Sequence, residues 1–290
     1  YRLWGDAALG YHLVNVALHA CAACAFLLLL RRLAVPGALL AALLFAVHPV
    51  HVESVAWISE QKNTLSTLLY LCAALTCLHF DATRARTPYL VACAFFVAAL
   101  LTKTVTATLP AALLVIFWWQ RGRLGWRRDV LPLAPWFVLG ACAGLFTAWT
   151  ERTIIGAEGA AYDLTLLQRV LLAGRAIWFY LGKLFWPVDL TFIYPRWAID
   201  ATAAWQWLPV LGVLALGVAL WLGRRRSRPP LAAFLFFAGS LFPVLGFFNI
   251  YPFIYSFVAD HFQYLASLGV IALVAGALTH SGRAGRALGV

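Results

Sequence analysis

Methionine is absent from this chain, and charge is scarce. Only 11% of its 290 residues are Asp, Glu, Lys or Arg, while 63% are hydrophobic. A soluble domain is nearer half apolar and carries about a quarter charged residues. A water-soluble fold of this composition would expose far too much apolar surface, so that class is excluded. Lipid has to replace water around the outer faces. No signal peptide is visible either. With Tyr1 as first residue and no initiator, the sequence reads as a piece of a longer protein, cut at both ends. Cysteine is missing from every polar break: Cys21, Cys24, Cys72, Cys77, Cys93 and Cys142 all lie inside apolar stretches. Cys21 and Cys24 have CxxC spacing without a second pair. All six therefore read as small core residues, which excludes a disulfide or zinc framework. Internal repeats and low-complexity linkers are also lacking, so residues 1–290 read as one domain.

What is there is a succession of apolar segments at roughly 10–30, 33–50, 64–80, 88–102, 104–119, 131–149, 167–186, 205–222, 231–249 and 262–279. Segments of roughly 17–25 apolar residues are what a bilayer-spanning helix needs. The predicted fold class is all-α: a polytopic transmembrane helix bundle. One set of polar breaks carries Arg31, Arg32, Arg84, Arg86, Arg121, Arg123, Arg127, Arg128, Arg224, Arg225, Arg226, Arg228, Arg283 and Arg286. That is 14 of the 22 basic residues, against Asp81 and Asp129 alone. The alternate breaks hold nine of the eleven acids with the other eight bases. The positive-inside rule puts the arginine-rich set in the cytoplasm. The net charge of +11 is thus a signal of topology, and no nucleic-acid partner is expected.

The alternation fails only at 167–186. Residues 150–166 belong outside and Arg224 to Arg228 inside, with the 205–222 span between, so 167–186 does not cross. Its Arg169, Arg175 and Lys183 fall within an arc of about 120° on a helix. An apolar face opposite a basic one predicts an amphipathic helix lying in the interface on the outer side. The alternative is one more span whose bases snorkel.

The outer breaks gather the unusual residues: His48, His51, Glu53, Trp57, Glu60, Lys62 and Asn63; then Lys103; then the stretch Glu151 to Trp205 with Tyr194; then Tyr255, Asp260, His261 and Tyr264. Ionisable groups near membrane depth are functional hypotheses by default. Lys103, flanked by apolar runs, calls for a cavity or a counter-ion, or else snorkels at a turn. His48, His51 and Glu53 form HxxHxE, not the i, i+4 spacing of paired helical zinc ligands. Acid–base or hydrogen-bonding roles for His51 and Glu53 fit that spacing better than a metal site. An ordinary polar end to a span competes with both. Trp118, Trp119, Trp186, Trp197, Trp205, Trp207 and Trp221 are explained by an interfacial aromatic belt. Trp57 and Tyr194 adjoin the charged clusters and are better placed to touch a substrate.

These blocks carry a resemblance. GYHLVNVALHA (Gly10 to Ala20), LLFAVHPVHVESVAWISEQKNTLSTLLYL (Leu43 to Leu71), LLTKTVTATLP (Leu100 to Pro110), YLGKLFWPVDLTFIYP (Tyr180 to Pro195) and FVADHFQYLASLG (Phe257 to Gly269) follow one another. In that order they resemble the membrane part of the transmembrane-and-TPR O-mannosyltransferases, the TMTC family, and their bacterial relatives within the GT-C glycosyltransferases. HPVHVESVAW is the most specific block. The resemblance implies a sugar carried on a polyprenyl phosphate and transferred on the outer face to a protein or glycan hydroxyl, with no cofactor. It also implies a bacterial inner membrane with a periplasmic active face, and a C-terminal TPR region. A carboxylate would act as base on the acceptor, and bases would hold the lipid phosphate. The superfamily's usual catalytic acid lies in a first outer loop ahead of this chain, so the catalytic residue is left unassigned.

The chain departs from the family at several positions. Thr102-Lys103-Thr104 replaces a Ser-Lys-Pro or Ser-Lys-Glu. Gln61 and His261 stand where arginines are frequent, and His261 makes the charge there pH-dependent. On the resemblance, Lys103, Arg175 and Lys183 are expected at the lipid phosphate. His48, His51, Glu53 and Lys62 are expected near the sugar or acceptor, with Asp260, His261 and Tyr264 closing the site. Two other classes stay open. One is a transporter or flippase for the lipid-linked sugar, which repeats and mid-membrane breaks would favour. The other is a metal-dependent membrane hydrolase built on His48, His51 and Glu53.

Overall fold

The structure, a computed structural model, describes residues 4–287, with side chains as far as Ser281. Among the described residues the chain is all-helical, without a strand. In chain order the helices are α1 (Ala8–Arg32), α2 (Ala38–Val47), α3 (Val52–Ala56), α4 (Gln61–Thr83), α5 (Arg86–Thr102), α6 (Leu109–Arg121), α7 (Ala134–Thr153), α8 (Leu166–Phe185), α9 (Leu208–Gly223), α10 (Pro229–Leu241) and α11 (Ser267–Ala287). Among the described residues four helical stretches are long and apolar enough to cross a membrane: Ala8–Arg32, Ile58–Thr83, Trp126–Thr153 and Ala204–Gly223. A bent pair, Ala38–Val47 with Pro49–Ala56, turns by 53° and makes a fifth if it counts as one span.

Several apolar segments are interrupted where local chemistry demands it. In 33–50, Gly37 takes a left-handed conformation (φ 71°) ahead of α2. Pro49, which cannot donate a backbone hydrogen bond, then holds His48 extended and ends the helix. In 104–119 a tight 3-10 stretch, Thr104–Thr108, precedes α6. In 231–249, α10 stops at Leu241, and Gly246 (φ 101°) carries the chain away from the helical path.

α8 begins at a capping box. The Thr165 hydroxyl accepts the Gln168 N–H, and the Gln168 side chain accepts the Thr165 N–H in return. Its apolar face is buried from Leu171 to Leu184, while Leu166, Leu167, Trp178 and Phe185 are exposed. The basic arc expected to face headgroups is used partly within the chain. Arg169 donates to the carbonyls of Leu164, Tyr162 and Gly246 and to Asn249 Oδ1. α8 is held close to α9 by Gly174, where a Cβ would meet Val210 Cγ2 at 2.7 Å. Small residues allow such approach where lipid supplies no hydrophobic drive between helices.

Three core clusters result among the described residues, the smallest around Tyr162, Leu172, Phe253 and Phe257. The largest joins α1, α2, α4, α5, α6, the start of α7 and the first part of α11, around Phe26, Phe45, Leu71, Phe96, Leu113 and Trp136. The second joins α8, α10 and the turn before α11, around Tyr180, Phe237, Leu241 and Tyr194. α9 has no buried residue, which suits a peripheral helix with much of its surface toward lipid.

The polar breaks separate into two ends. At the arginine-rich end, Asp81 of α4 accepts from Arg84 and Arg121, with Arg128 Nε at 3.6 Å. Arg121 also pairs with the buried Asp129, which accepts the Gly125 N–H at 2.7 Å. Gln120 reaches the Leu33 carbonyl at 3.1 Å, and Arg228 reaches the Trp119 carbonyl at 3.1 Å. The ends of α1, α4 and α6 and the start of α10 therefore meet. The side chains of Arg283 and Arg286 lie outside the described residues.

Candidate functional site

The opposite end carries a continuous polar seam, and α3 is its foundation. A five-residue helix leaves its last carbonyls without intrahelical partners. Asn15, fully buried on α1, supplies them: its Nδ2 donates to the carbonyls of Ser54, Val55 and Trp57 at 2.9, 2.8 and 3.0 Å. Thr64 on α4 holds Asn15 in place by donating to its Oδ1. That fixes Glu53 toward the 3-10 turn Asp260–Gln263. Glu53 Oε1 takes His261 Nδ1 at 2.7 Å, and Oε2 takes the His261 backbone N–H at 3.0 Å.

Asn63 connects Glu53's neighbourhood to Lys103. Its Nδ2 donates to Glu60 Oε2 at 2.7 Å, to Ser54 Oγ at 3.2 Å and to the His261 carbonyl at 3.3 Å. Its Oδ1 accepts from Lys103 Nζ. Lys103 is one extended residue between α5 and the 3-10 stretch (φ −158°, ψ 122°), and that break turns its side chain to the seam. Its ammonium lies 3.9 Å from Glu60, which Lys62 also approaches at 3.1 Å. Only 20% of the Lys103 side chain is exposed. Burial lowers its pKa from 10.5 to about 8, against an opposing pull from Glu60. Lys103 thus remains cationic at neutral pH and close to losing its proton.

The far side of the seam is Asp260. Tyr194 donates its hydroxyl to this carboxylate, with oxygens at 3.0 and 2.9 Å. Burial raises Asp260 from 3.8 to about 6, the Tyr194 hydrogen bond opposing it. Burial and the same carboxylate push the Tyr194 hydroxyl well above its ordinary pKa. Lys183 lies 5.1 Å from the centre of the Tyr194 ring and donates to the carbonyls of Val188 and Asp189 at 2.6 and 3.0 Å. Trp57 and Phe192 pack at 3.9 Å on the rim.

The histidines and Tyr264 lie beneath, and their partners determine their tautomers. A carbonyl only accepts, so the ring nitrogen facing it carries the proton. His48 Nε2 therefore donates to the Leu184 carbonyl at 3.0 Å, and its Nδ1 accepts the Val50 N–H at 3.3 Å. His51 Nδ1 donates to Phe45 at 2.8 Å, and its Nε2 faces Ser267 Oγ at 3.0 Å. His19 Nε2 donates to Ala46, and its Nδ1 takes the Tyr264 hydroxyl at 2.6 Å. With these bonds made, His48 presents no lone pair to a metal. Among the described residues no group of three or more His, Cys, Asp and Glu has metal-binding geometry.

The seam therefore unites Glu53, Lys62, Lys103, Lys183, Asp260 and His261 from distant parts of the chain. His48, His51 and Tyr264 support it from below. Arg175 stands at its edge: the guanidinium lies 4.2 Å over the Trp197 ring, which packs on Phe179, and Phe179 on Tyr194. Sequence reasoning left out Asn15, His19 and Asn63 as site residues, and Glu60 as Lys103's counter-ion. Asn15 and His19 lie inside the block Gly10 to Ala20, the signal that could have found them. Gln263 was missed too; it is fully buried, with neither side-chain amide atom hydrogen-bonded among the described residues.

Apolar helices of spanning length around a buried polar seam define an integral membrane protein of the helical-bundle class. Within that class, the chain is similar to protein O-mannosyl-transferases. It is 44% identical over 79 residues to Tmtc1 of Drosophila melanogaster, covering 26% of this chain and 9% of that protein. It is 39% identical over 69 residues to TMTC3 of Mus musculus, covering 23% and 8%. It is 39% identical over 80 residues to F38B6.6 of Caenorhabditis elegans, covering 26% and 12%. The matched part spans about a tenth of the length of these curated relatives. No family model and no solved structure matches the chain.

Proposed function

We propose that this chain belongs to an integral membrane glycosyltransferase that moves a sugar, mannose in the nearest reading, from a polyprenyl-phosphate carrier to a protein or glycan hydroxyl on the non-cytoplasmic face. The observation that carries it is the seam, where two lysines and two carboxylates from separate elements converge at the arginine-poor end of the bundle. The partial likeness to proteins named O-mannosyl-transferases supports the reaction class. A bacterial inner membrane with this end periplasmic, and a GT-C architecture continued by TPR repeats, complete the proposal.

In the transfer, the acceptor oxygen bonds to the anomeric carbon as its proton passes to a carboxylate. The carbon–oxygen bond to the carrier breaks, and its electron pair stays on the phosphate. That phosphate gains charge in the transition state, where cations aimed at it contribute most. Lys103 and Lys183 supply them, with Arg175 at the edge. Glu53, oriented by His261, and Asp260, oriented by Tyr194, face the acceptor side. Lys103's bonds to Asn63 and Glu60 position its ammonium before substrate arrives, and the phosphate replaces part of that pairing.

Native mass spectrometry of the detergent-purified protein with polyprenyl phosphate tests this. Saturable binding that weakens on Lys103→Ala and Lys183→Ala, and less on Arg175→Ala, is expected. Binding indifferent to all three removes the bases from a lipid-phosphate site and moves the transport reading ahead.

A further inference from the structure

At the opposite, arginine-rich end, α1, α4, α6, α10 and α11 line a partly open apolar cleft with a cavity volume of about 120 Å³. Its walls include Leu30, Leu71, Ala112, Ile116, Phe236 and Ala272. Along α6 it runs from Leu109 to Trp119, about 15 Å of helix at 1.5 Å per residue. That is about half of a 30 Å hydrocarbon core, the depth of one leaflet. Gly269 keeps the wall thin where α10 and α11 cross: a Cβ there would meet Phe236 Cδ1 at 2.8 Å.

A second, polar cavity adjoins this cleft, sharing Leu33 and Ile116 in its lining. It is lined by Arg32, Gln120, Arg121 and Asp81. Arg228 adjoins the apolar cleft, bonded to the carbonyl of Trp119, which lines it. Asp81 and Asp129 are the acids here, already engaged by Arg84, Arg121 and Arg128. Five guanidiniums, with Arg32 and Arg228 included, therefore face two carboxylates.

We propose that this composite cavity is a binding site for an anionic phospholipid of the adjacent leaflet, with one acyl chain in the cleft and the phosphate at Arg32 and Arg228. Three observations converge on that occupant. An apolar cleft at hydrocarbon depth gains dispersion contacts from an acyl chain and none from water. Its length matches a chain from one leaflet. Basic pockets between helices at a membrane surface select anionic headgroups, each arginine contributing modestly. The site lies away from the seam and does not rest on the proposed transfer reaction.

The test is native mass spectrometry of the delipidated protein titrated with phosphatidylglycerol, phosphatidylcholine or polyprenyl phosphate. One saturable copy of phosphatidylglycerol, bound more tightly than phosphatidylcholine, is expected. Arg32→Gln and Arg228→Gln should each weaken phosphatidylglycerol about fivefold, the scale of one headgroup contact, and leave phosphatidylcholine unchanged. Ala112→Phe, or Ala272→Leu from another wall, should weaken both phospholipids by filling the cleft. Equal binding of the two phospholipids, or phosphatidylglycerol binding untouched by both arginine changes, overturns the proposal. So does displacement of phosphatidylglycerol by equimolar polyprenyl phosphate, which would make the carrier the occupant. Arg32 is exposed and Arg228 half-buried, so the Arg32 variant decides the matter even where a wall variant fails to fold.

Discussion

Lys103 shows how a single residue acquires chemistry from its backbone. Flanking apolar runs leave no polar neighbours in sequence, yet one extended residue between two helices turns the ammonium onto Asn63 and Glu60. Its lowered pKa has a direct consequence. The charged form is present below pH about 8 and disappears above it, so phosphate binding should decline as pH rises through about 8. Lys103→Arg keeps its charge over that range and should bind with no such decline. Titrating carrier binding against pH for both proteins checks this; parallel curves would remove Lys103 from the phosphate site. Its need for a polar partner was legible, because a lysine between apolar runs is conspicuous. Its counter-ion was not, because Glu60 lies on another helix and no spacing rule links the two. Arg175 and Arg169 read alike along α8, but one stacks on Trp197 and the other ties loops together. Periodicity gives an arc, and side-chain partners depend on what packs against it.

At the scale of elements, apolar runs located the helices, and their interruptions were harder to see. Gly37, Pro49 and Gly246 are visible letters, but each was absorbed into a hydrophobic segment because their neighbours are apolar. The broken pair α2–α3 is the important case. A continuous span from 33 to 50 would leave no short helix end for Asn15 to complete, and no platform for Glu53. α8 was legible as an amphipathic helix, with its capping box at Thr165 setting the start. Its attachment to α9 depends on the missing side chain at Gly174. Gly174→Leu should destabilise the protein by about 1–3 kcal/mol through overpacking against Val210, while Gly182→Leu, which has open space, should cost far less. Thermal unfolding in detergent compares them; equal losses would mean that close approach at Gly174 does not hold the pair together.

On the scale of the whole molecule, the seam and the arginine-rich network divide the bundle into two chemically distinct ends. The alternation of charge along the chain foretold that division. The partners across it were hidden, because Glu53 and His261 are 208 positions apart. Removing one member of a mostly buried pair leaves the other without its partner. Glu53→Gln should therefore lower the melting temperature and loosen the turn at Asp260–Gln263, read by hydrogen exchange at His261. An unchanged exchange rate would show that the turn is held by Tyr194 and Asn63 alone.

The length of these connections also has a consequence for biogenesis. His19 and Tyr264 are separated by 245 residues. At about 5–20 residues per second, a ribosome needs about 12–50 s to deliver the second after the first. During that interval His19, His51 and Glu53 have been made without the C-terminal residues that complete their bonding. Nascent chains stalled before residue 260 should therefore remain associated with an insertion machinery or chaperone that shields polar groups. Release would come only when the last turn arrives.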